Sequence, residues 1–374
     1  MTKRLTPPVL IIGSPGDPSD VRYKTGFSAV DPMVFVQAGN AQYIVVPLLE
    51  LGRAKKTTPC ATVFVPQDLG ISRRRRRHVE EWAVALLRRL EIRRVRVPAT
   101  FPAGVFVRLM RAGVRIDVVR GPLFPQRAVK TPREVANIAE SQRASVAAMK
   151  AAIALIASSR CDRAGFLVSD GKRLTSERVR HAIDQTLLAH DCAARDTIIA
   201  GGSQAADPHE RGSGALRAGE TIVIDIFPQH KKHGYWGDIT RTVVKGRASP
   251  ELLGMYAAVD LAQKAALKKI RSGVRTRAIH EEVQRVLASK KFETSVEDGI
   301  ARGFFHGTGH GVGLDIHEAP SVSLTDDVLR AGQVITVEPG LYYPELGGVR
   351  MEDTVVVTKT GWRYLATCPK RFEV

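Results

Sequence analysis

Four carboxylates and one imidazole lie in or beside apolar or glycine-rich segments in the second half of the chain. Asp225 follows the apolar run Ile-Val-Ile, and Asp238 opens the next such run after twelve intervening residues. His310 lies within Gly-Thr-Gly-His-Gly, Glu338 within Val-Glu-Pro-Gly, and Glu352 within Arg-Met-Glu-Asp. Carboxylates in apolar surroundings repel one another and are costly to desolvate. Because a pair of divalent cations would remove that cost, the five residues predict a dinuclear metal site.

This donor set suits a hydrolytic centre. Carboxylate oxygens with one imidazole suit Mn²⁺, Co²⁺, Zn²⁺ or Fe²⁺, and two such ions roughly 3.5–4 Å apart can share a water molecule and lower its pKa. His209, His306 and His317 accompany the set. An imidazole that does not bind metal can polarise a carbonyl group or stabilise an oxyanion. Each residue alone is more often a turn, loop or surface residue, so the interpretation rests on all of them together.

The segments that must position these residues are predicted to be strands and helices. Residues 221–227 and 239–245 predict antiparallel strands joined by a polar loop, and residues 334–338 and 350–358 predict two more strands. Helices are predicted to begin at Thr131, Ser249 and Thr276, where a residue that can cap a helix precedes an apolar repeat. We therefore expect an α+β domain with one antiparallel sheet and helices on one side.

The residues before this region predict a separate, smaller α/β domain. Apolar runs at 32–36, 43–47, 61–65 and 95–97 predict strands, and residues 79–90 have helical spacing. The boundary falls in the segment 122–130, which gives domains 1–126 and 127–374.

Charge is unevenly distributed. Residues 1–130 contain 23 Lys and Arg against 9 Asp and Glu, and the extreme is the run Arg73–Arg77. Such a run can bind nucleic acid or another anionic surface. No aromatic residues are interleaved with the arginines to stack on bases, so we favour a solvated face and expect no nucleic-acid partner.

Composition is that of a water-soluble protein, with 44% hydrophobic and 25% charged residues. No apolar run approaches the roughly 20 residues that span a bilayer, so no membrane association is expected. The four cysteines are far apart and form no Cys-x-x-Cys motif, which fits a reducing compartment. A cytoplasmic location is therefore expected.

From about residue 127 to the C-terminus, the order of motifs resembles the pita-bread metallopeptidase family, which includes aminopeptidase P, prolidase, methionine aminopeptidase and creatinase. The most specific stretch runs from His306 to Glu318, His-Gly-Thr-Gly-His-Gly-Val-Gly-Leu-Asp-Ile-His-Glu. The resemblance implies two divalent ions, with Mn²⁺ placed first, and five metal ligands: Asp225, Asp238, His310, Glu338 and Glu352. It also implies that His306 and His317 contact the substrate, that His209 steadies the transition state, that Glu338 carries a proton, and that Arg350 supports the site.

Residues 1–126 resemble more loosely the N-terminal domain of aminopeptidase P, prolidase and creatinase, through the stretch Tyr-Lys-Thr-Gly-Phe at 23–27. Methionine aminopeptidases generally lack such a domain, and creatinase lacks the metal ligands. The resemblance therefore implies a homodimeric Xaa-Pro aminopeptidase that acts on peptides with proline at the second position. Two alternatives stay open: an Xaa-Pro dipeptidase (prolidase), and a non-catalytic pita-bread binding protein that uses its Arg-rich N-terminal domain.

One feature departs from the family pattern. The gap between Asp225 and Asp238 is twelve residues, where the family usually has ten. We expect the added residues at 229–233, at the tip of a hairpin. A two-residue addition keeps the strand alternation in phase, so both carboxylates can still face the same side of the sheet. His230 and His233, within the added segment, are expected to be solvated and not metal ligands.

Overall fold

The computed structural model describes residues 6–13 and 19–374, and the chain divides into two compact units, residues 1–127 and 128–374. The first unit is built on a six-stranded mixed sheet in the order β4-β3-β2-β1-β5-β6. Its strands are β1 (Val9–Gly13), β2 (Met33–Ala38), β3 (Ala41–Val45), β4 (Ala61–Phe64), β5 (Arg94–Pro98) and β6 (Arg115–Val119). Its helices are α1 (Ser19–Thr25), α2 (Leu51–Thr57), α3 (Val79–Arg89) and α4 (Ala103–Arg111).

The predicted α/β character of the first unit is confirmed. β2, β3, β4, β5 and α3 coincide with predicted segments, whereas β1 and β6 were not predicted. Leu10 and Ile11 are adjacent in β1, so their side chains point to opposite faces of the sheet. Leu10 packs in the apolar cluster with α3 and α4, and Ile11 packs in the cluster that contains Phe27. The Arg73–Arg77 run precedes α3 on a turn, with all but Arg76 exposed.

The second unit contains four helices among its described residues: α5 (Pro132–Ser158), α6 (Ser176–Ala189), α7 (Pro250–Lys269) and α8 (Thr276–Ser289). α5 begins at a capping box, because the Thr131 hydroxyl accepts from Glu134 N at 3.3 Å and the Glu134 carboxylate accepts from Thr131 N at 2.8 Å. α5 and α6 pack on one apolar cluster and α7 and α8 on another. α6 was not predicted. None of the helices in the described part of the chain is long and apolar enough to cross a membrane.

The strands of the second unit are short, and every pair that the described strands form is antiparallel. They are β7 (Arg160–Cys161), β8 (Leu167–Ser169), β9 (Lys172–Arg173), β10 (Cys192–Ala193), β11 (Ile198–Gly201), β12 (Thr221–Ile226), β13 (Gln229–His230), β14 (Ile239–Val244), β15 (Ser295–Glu297), β16 (Ile300–Arg302), β17 (Gly309–Gly311), β18 (Glu318–Val322), β19 (Val334–Val337), β20 (Gly340–Tyr343), β21 (Gly347–Arg350), β22 (Asp353–Val357) and β23 (Trp362–Tyr364).

The predicted antiparallel pairing is confirmed, but the strands are divided among separate sheets. The strands that carry the candidate residues form a three-stranded sheet, β11-β12-β14, and a five-stranded sheet, β18-β17-β19-β22-β23. The two sheets meet where Glu352 N donates to Thr240 O at 3.1 Å. Each sheet packs against its own apolar cluster.

Candidate metal centre

The structure brings all the predicted site residues around one cavity of about 730 Å³ in the second unit. The cavity is lined by the five predicted ligands and by the four predicted supporting residues: Asp225, Asp238, His310, Glu338, Glu352, His209, His306, His317 and Arg350. The first and last of these residues, His209 and Glu352, are 143 positions apart in sequence and line the same cavity.

Strand register explains how the aspartates come to face the cavity. Asp225 in β12 pairs with Thr240 in β14, and Asp238 lies two residues before Thr240. Because side chains alternate across a strand, Asp225, Asp238 and Thr240 share one face. The Thr240 hydroxyl also donates to Glu352 Oε2 at 2.8 Å, which brings a carboxylate of the second sheet to the same place. The longer hairpin thus leaves the predicted phase intact.

The donor atoms are close enough to share cations. Ligand atoms of Asp238, His310 and Glu352 all lie within 4.8 Å of one another. His310 Nε2 lies 3.6 Å from Asp238 Oδ2 and 3.3 Å from Glu338 Oε1. Asp225 lines the same cavity, where its Oδ2 lies 2.8 Å from Arg350 Nη2.

Burial and mutual repulsion hold protons on this cluster when no cation is bound. Asp238 and Glu352 are 4% and 2% exposed. Burial, followed by neighbouring carboxylates, raises the pKa of both well above the usual range. Burial also raises the pKa of Glu338 to about 7, against an opposing effect of the Arg350 charge. Divalent cations would replace these protons and satisfy the oxygens, so the residues fit the dinuclear site that their types predicted.

The tautomer of His310 suits a ligand. Its Nδ1 lies 3.1 Å from Gly311 O, and a carbonyl can only accept, so Nδ1 carries the proton. Burial lowers the pKa of the ring, which is therefore neutral. Nε2 is left with a lone pair aimed among the carboxylates, the arrangement typical of metal-binding histidines whose other nitrogen is fixed by an acceptor.

Arg350 is a buried cation of the site, and its guanidinium is held by neighbouring side chains. Its side chain is 4% exposed, Nη2 lies 2.8 Å from Asp225 Oδ2, and Nη1 donates to Tyr342 Oη at 2.9 Å. Tyr342 Oη in turn lies 2.9 Å from His306 Nε2. The guanidinium thus links one candidate metal ligand, Asp225, to Tyr342 and through it to His306.

His306 has both ring nitrogens occupied by protein groups. Nδ1 donates to Gly307 O at 2.8 Å, so Nε2 accepts the Tyr342 hydroxyl. Burial lowers the pKa of His306 to about 3, which keeps the ring neutral. In this structure His306 therefore continues a chain of donors from Arg350 through Tyr342. Sequence reasoning missed Tyr342; its only signal is a tyrosine in the apolar strand that follows Glu338-Pro-Gly.

His209 and His317 stand at the open side of the cavity and are exposed. The His317 ring lies edge-on to His310, with ring centroids 4.3 Å apart. Phe227 and Phe305 line the same cavity and add apolar surface beside the polar groups. The arrangement offers imidazoles and aromatic rings to a small molecule that enters the cavity.

Comparison with known proteins identifies the family. The sequence model of metallopeptidase family M24 matches residues 136–359, which is more than half of the chain. The chain belongs to metallopeptidase family M24. The pita-bread resemblance and the two-domain fold class are thereby confirmed, and members of this family are dinuclear metal enzymes.

Individual M24 relatives cover nearly the whole chain. The Xaa-Pro dipeptidase of Pyrococcus horikoshii is 30% identical over 98% of this chain and 94% of its own length. The crystal structure of the prolidase from Pyrococcus horikoshii OT3 matches with a TM-score of 0.81 and 28% identity, over 98% of this chain and 95% of that one. An X-Pro aminopeptidase from Thermotoga maritima, at 24% identity and a TM-score of 0.81 over 98% and 97% of the two chains, shares the fold.

A buried guanidinium supports the M24 site from behind, and sequence reasoning missed it. Arg241 is 2% exposed. Its Nη1 donates to Glu352 O at 2.5 Å, and its Nη2 donates to Asp353 Oδ1 at 2.6 Å and to Cys368 O at 2.8 Å. The side chain therefore fixes the backbone of one candidate ligand. The sequence signal is an arginine inside an apolar strand, where a charge needs partners.

Two buried amides fix other candidate ligands. Gln263 of α7 donates to Val337 O at 2.9 Å and to Met351 O at 3.1 Å, the residues that precede Glu338 and Glu352. Gln142 of α5 donates to Asp238 O at 2.7 Å and accepts from Asp238 N at 2.7 Å. The helices of this M24 domain thus hold the ligand backbones at fixed positions.

The hairpin tip differs from the prediction. His230 is buried and His233 is half-buried, and each Nε2 lies 3.6 Å from an oxygen of Glu140 in α5, so the expectation that both rings are solvated is wrong. The sequence did not indicate this contact, because β13 pairs with β10 over only two residues, which is too short to show an alternation of apolar and polar residues.

Glu140 of α5 and the hairpin residues His230 and His233 are close enough to one another to hold a metal ion. Their tautomers oppose it, because Nδ1 of His230 and of His233 accepts a backbone N–H at 3.2 Å, from Lys232 and Tyr235. Each Nε2 then carries the proton, the reverse of His310. The two rings also stack, with their centroids 3.8 Å apart and their planes nearly parallel. The cluster instead fastens the hairpin to α5.

Proposed function

We propose that this chain is a dinuclear-metal Xaa-Pro dipeptidase, which hydrolyses a dipeptide between its N-terminal residue and proline. The observation that carries the proposal is the convergence of five metal-competent side chains on one cavity, in a chain that aligns over its length with the Xaa-Pro dipeptidase of Pyrococcus horikoshii. The prolidase structure from the same organism, at 28% identity, supports the same substrate class.

Asp225, Asp238, His310, Glu338 and Glu352 would hold the two ions, and we place Mn²⁺ first because carboxylates outnumber imidazoles. When bound, such ions supply Lewis acidity and an activated water. The remaining work belongs to the chain. Arg350 holds the Asp225 carboxylate in place through the 2.8 Å contact between its Nη2 and Asp225 Oδ2.

Glu338 is the proposed proton carrier. Its Oε1 is oriented by the Thr336 hydroxyl at 3.1 Å. Burial raises its pKa to about 7, in the range where a carboxyl group can both accept and release a proton near neutral pH. His317 and His209, at the open side of the cavity, are the proposed donors to the carbonyl oxygen as negative charge develops on it.

The aminopeptidase activity that sequence analysis placed first is less well supported than its alternative. The Pyrococcus horikoshii relative, 30% identical over 98% of this chain, is named a dipeptidase, whereas the Thermotoga maritima aminopeptidase, at 24% identity, supports the fold alone. The non-catalytic alternative is disfavoured because all five candidate ligands are present and converge.

A peptide panel tests the proposal. Protein loaded with Mn²⁺ should release alanine from Ala-Pro, act at least tenfold more slowly on Ala-Pro-Ala, and leave Ala-Ala intact. Asp238→Asn should abolish turnover, whereas His190→Ala, an exposed histidine outside the cavity, should leave turnover unchanged. Cleavage of Ala-Pro-Ala without Ala-Pro would establish the aminopeptidase instead, and no cleavage of any proline peptide would overturn both.

The homodimer expected from the resemblance remains a prediction. Light scattering of the purified protein should give about twice the 40.9 kDa chain mass.

A further inference from the structure

A dipeptide brings a problem that a longer peptide does not. Its free carboxylate follows the proline directly, and must enter a cavity whose lining already contains six Asp and Glu residues. Such a substrate needs a cation near the mouth, since an unpaired carboxylate among like charges is repelled. Two cationic side chains, Arg350 and Arg211, are found among the described residues that line the cavity.

Arg350 cannot serve a substrate without breaking the site. Its guanidinium is 4% exposed and holds Asp225 and Tyr342. Turning it toward a ligand would leave Asp225 buried without its counter-charge, which is strongly unfavourable. Arg211 remains.

Arg211 is presented at the mouth by a fixed loop. Its carbonyl accepts from Ile199 N at 2.9 Å, which ties the loop to β11. At the next residue, Gly212, an added Cβ would lie 1.8 Å from Ile199 O, so the backbone there approaches as only glycine allows. The loop is also held by Arg180, whose Nη1 donates to Arg211 O at 2.6 Å. A side chain on such a loop loses little backbone entropy when it binds a ligand.

The side chain of Arg211 has two exposed contacts, both of which a ligand could replace. Its Nη2 donates to Arg195 O at 3.0 Å. Arg211 Nη1 lies 3.4 Å from Asp196 Oδ1, and the two side chains are 52% and 66% exposed. Exposed ion pairs of this kind contribute little. A substrate carboxylate could displace Asp196 and meet a planar guanidinium that binds carboxylates with two parallel hydrogen bonds.

We propose that Arg211 is the specificity-determining residue that binds the free C-terminal carboxylate of an Xaa-Pro dipeptide. The inference rests on the proposed function and deepens it. Asp196 acts as the competing carboxylate that occupies Arg211 between turnovers.

The test compares an acid with its neutral amide, Ala-Pro with Ala-Pro-NH₂, using the full-length protein loaded with Mn²⁺. Arg211→Ala should lower kcat/KM for Ala-Pro about tenfold, chiefly through KM, because a half-exposed charge-assisted contact is lost. The loss on Ala-Pro-NH₂ should be under twofold, since the amide brings no charge. Arg211→Lys should recover part of the loss, and Asp196→Asn should lower KM for Ala-Pro.

Arg195→Ala is the matched control. It removes the same charge from the neighbouring segment before β11 and keeps the Arg195 carbonyl that Arg211 contacts. The Arg195 side chain is exposed and does not line the cavity, so the acid-to-amide ratio should not change. Equal losses on acid and amide in Arg211→Ala would overturn the inference, as would an acid preference that survives the substitution. Either result leaves the proposed function standing, which fails only if the wild-type enzyme does not cleave Ala-Pro.

Discussion

Replacing Arg241 with methionine tests whether the buried guanidinium organises the metal centre. The substitution keeps a long, unbranched side chain but removes donors to Glu352 O, Asp353 Oδ1 and Cys368 O at 2.5, 2.6 and 2.8 Å. Asp353 is 3% exposed and keeps one cation, because Lys370 Nζ lies 2.9 Å from its Oδ2. The change therefore removes one of the two cations that pair with Asp353. It also removes the Arg241 donors from four backbone carbonyls, including those of Thr240 and Pro369.

The magnitude follows from these contacts. Removing one partner of a buried ion pair destabilises by about 3–5 kcal/mol, and since Lys370 remains, we expect the lower end, about 3 kcal/mol. Because Glu352 would lose the donor that fixes its backbone, metal affinity should also fall by about 10- to 100-fold, as for other groups that orient metal ligands.

Denaturant unfolding of the metal-free protein and calorimetric titration with Mn²⁺ measure the two effects. Arg247→Met is the control, since that arginine is 94% exposed and its pair with Glu373 spans 3.8 Å, so neither quantity should change. If Arg241→Met unfolds at the same denaturant concentration as Arg247→Met and binds Mn²⁺ as tightly as wild type, the supporting role is refuted.

Three further predictions concern the same centre. Tyr342→Phe removes the hydroxyl between Arg350 and His306, so the metal-free protein should lose about 1–3 kcal/mol of stability; an unchanged urea midpoint would contradict the donor chain. Metal-free protein should become less stable as pH rises from about 4.5 to about 7, because folded Glu338 keeps a proton that the unfolded chain has released. The urea midpoint should fall across that window, more shallowly in Glu338→Gln, and a rising midpoint would count against the raised pKa. His233→Ala should leave the Mn²⁺-to-protein ratio unchanged in elemental analysis, whereas a lost ion would show that the hairpin cluster binds metal after all.

The sequence predicted best what is encoded locally. The Thr131 capping box and the apolar runs of β12, β14 and β19 have short-range signals, and each was found within a residue or two of its observed bounds. The in-phase placement of Asp225 and Asp238 also followed from strand alternation alone.

The features that escaped depend on contacts between distant segments. Gln263 reaches Val337 across 74 residues, and Arg241 reaches Glu352 across 111. Nothing near Tyr342 in the sequence says that it will meet His306. The division into two sheets was missed for the same reason. In strands of two to six residues, the alternation of side chains predicts which residues share a face, but it does not predict which strands pair.

Anomalous diffraction from crystals grown with Mn²⁺ tests the central claim most directly. We expect two peaks roughly 3.5–4 Å apart, both within coordinating distance of oxygen or nitrogen atoms of Asp225, Asp238, His310, Glu338 and Glu352. A single peak, peaks at other residues, or no peak among these side chains would contradict the dinuclear centre.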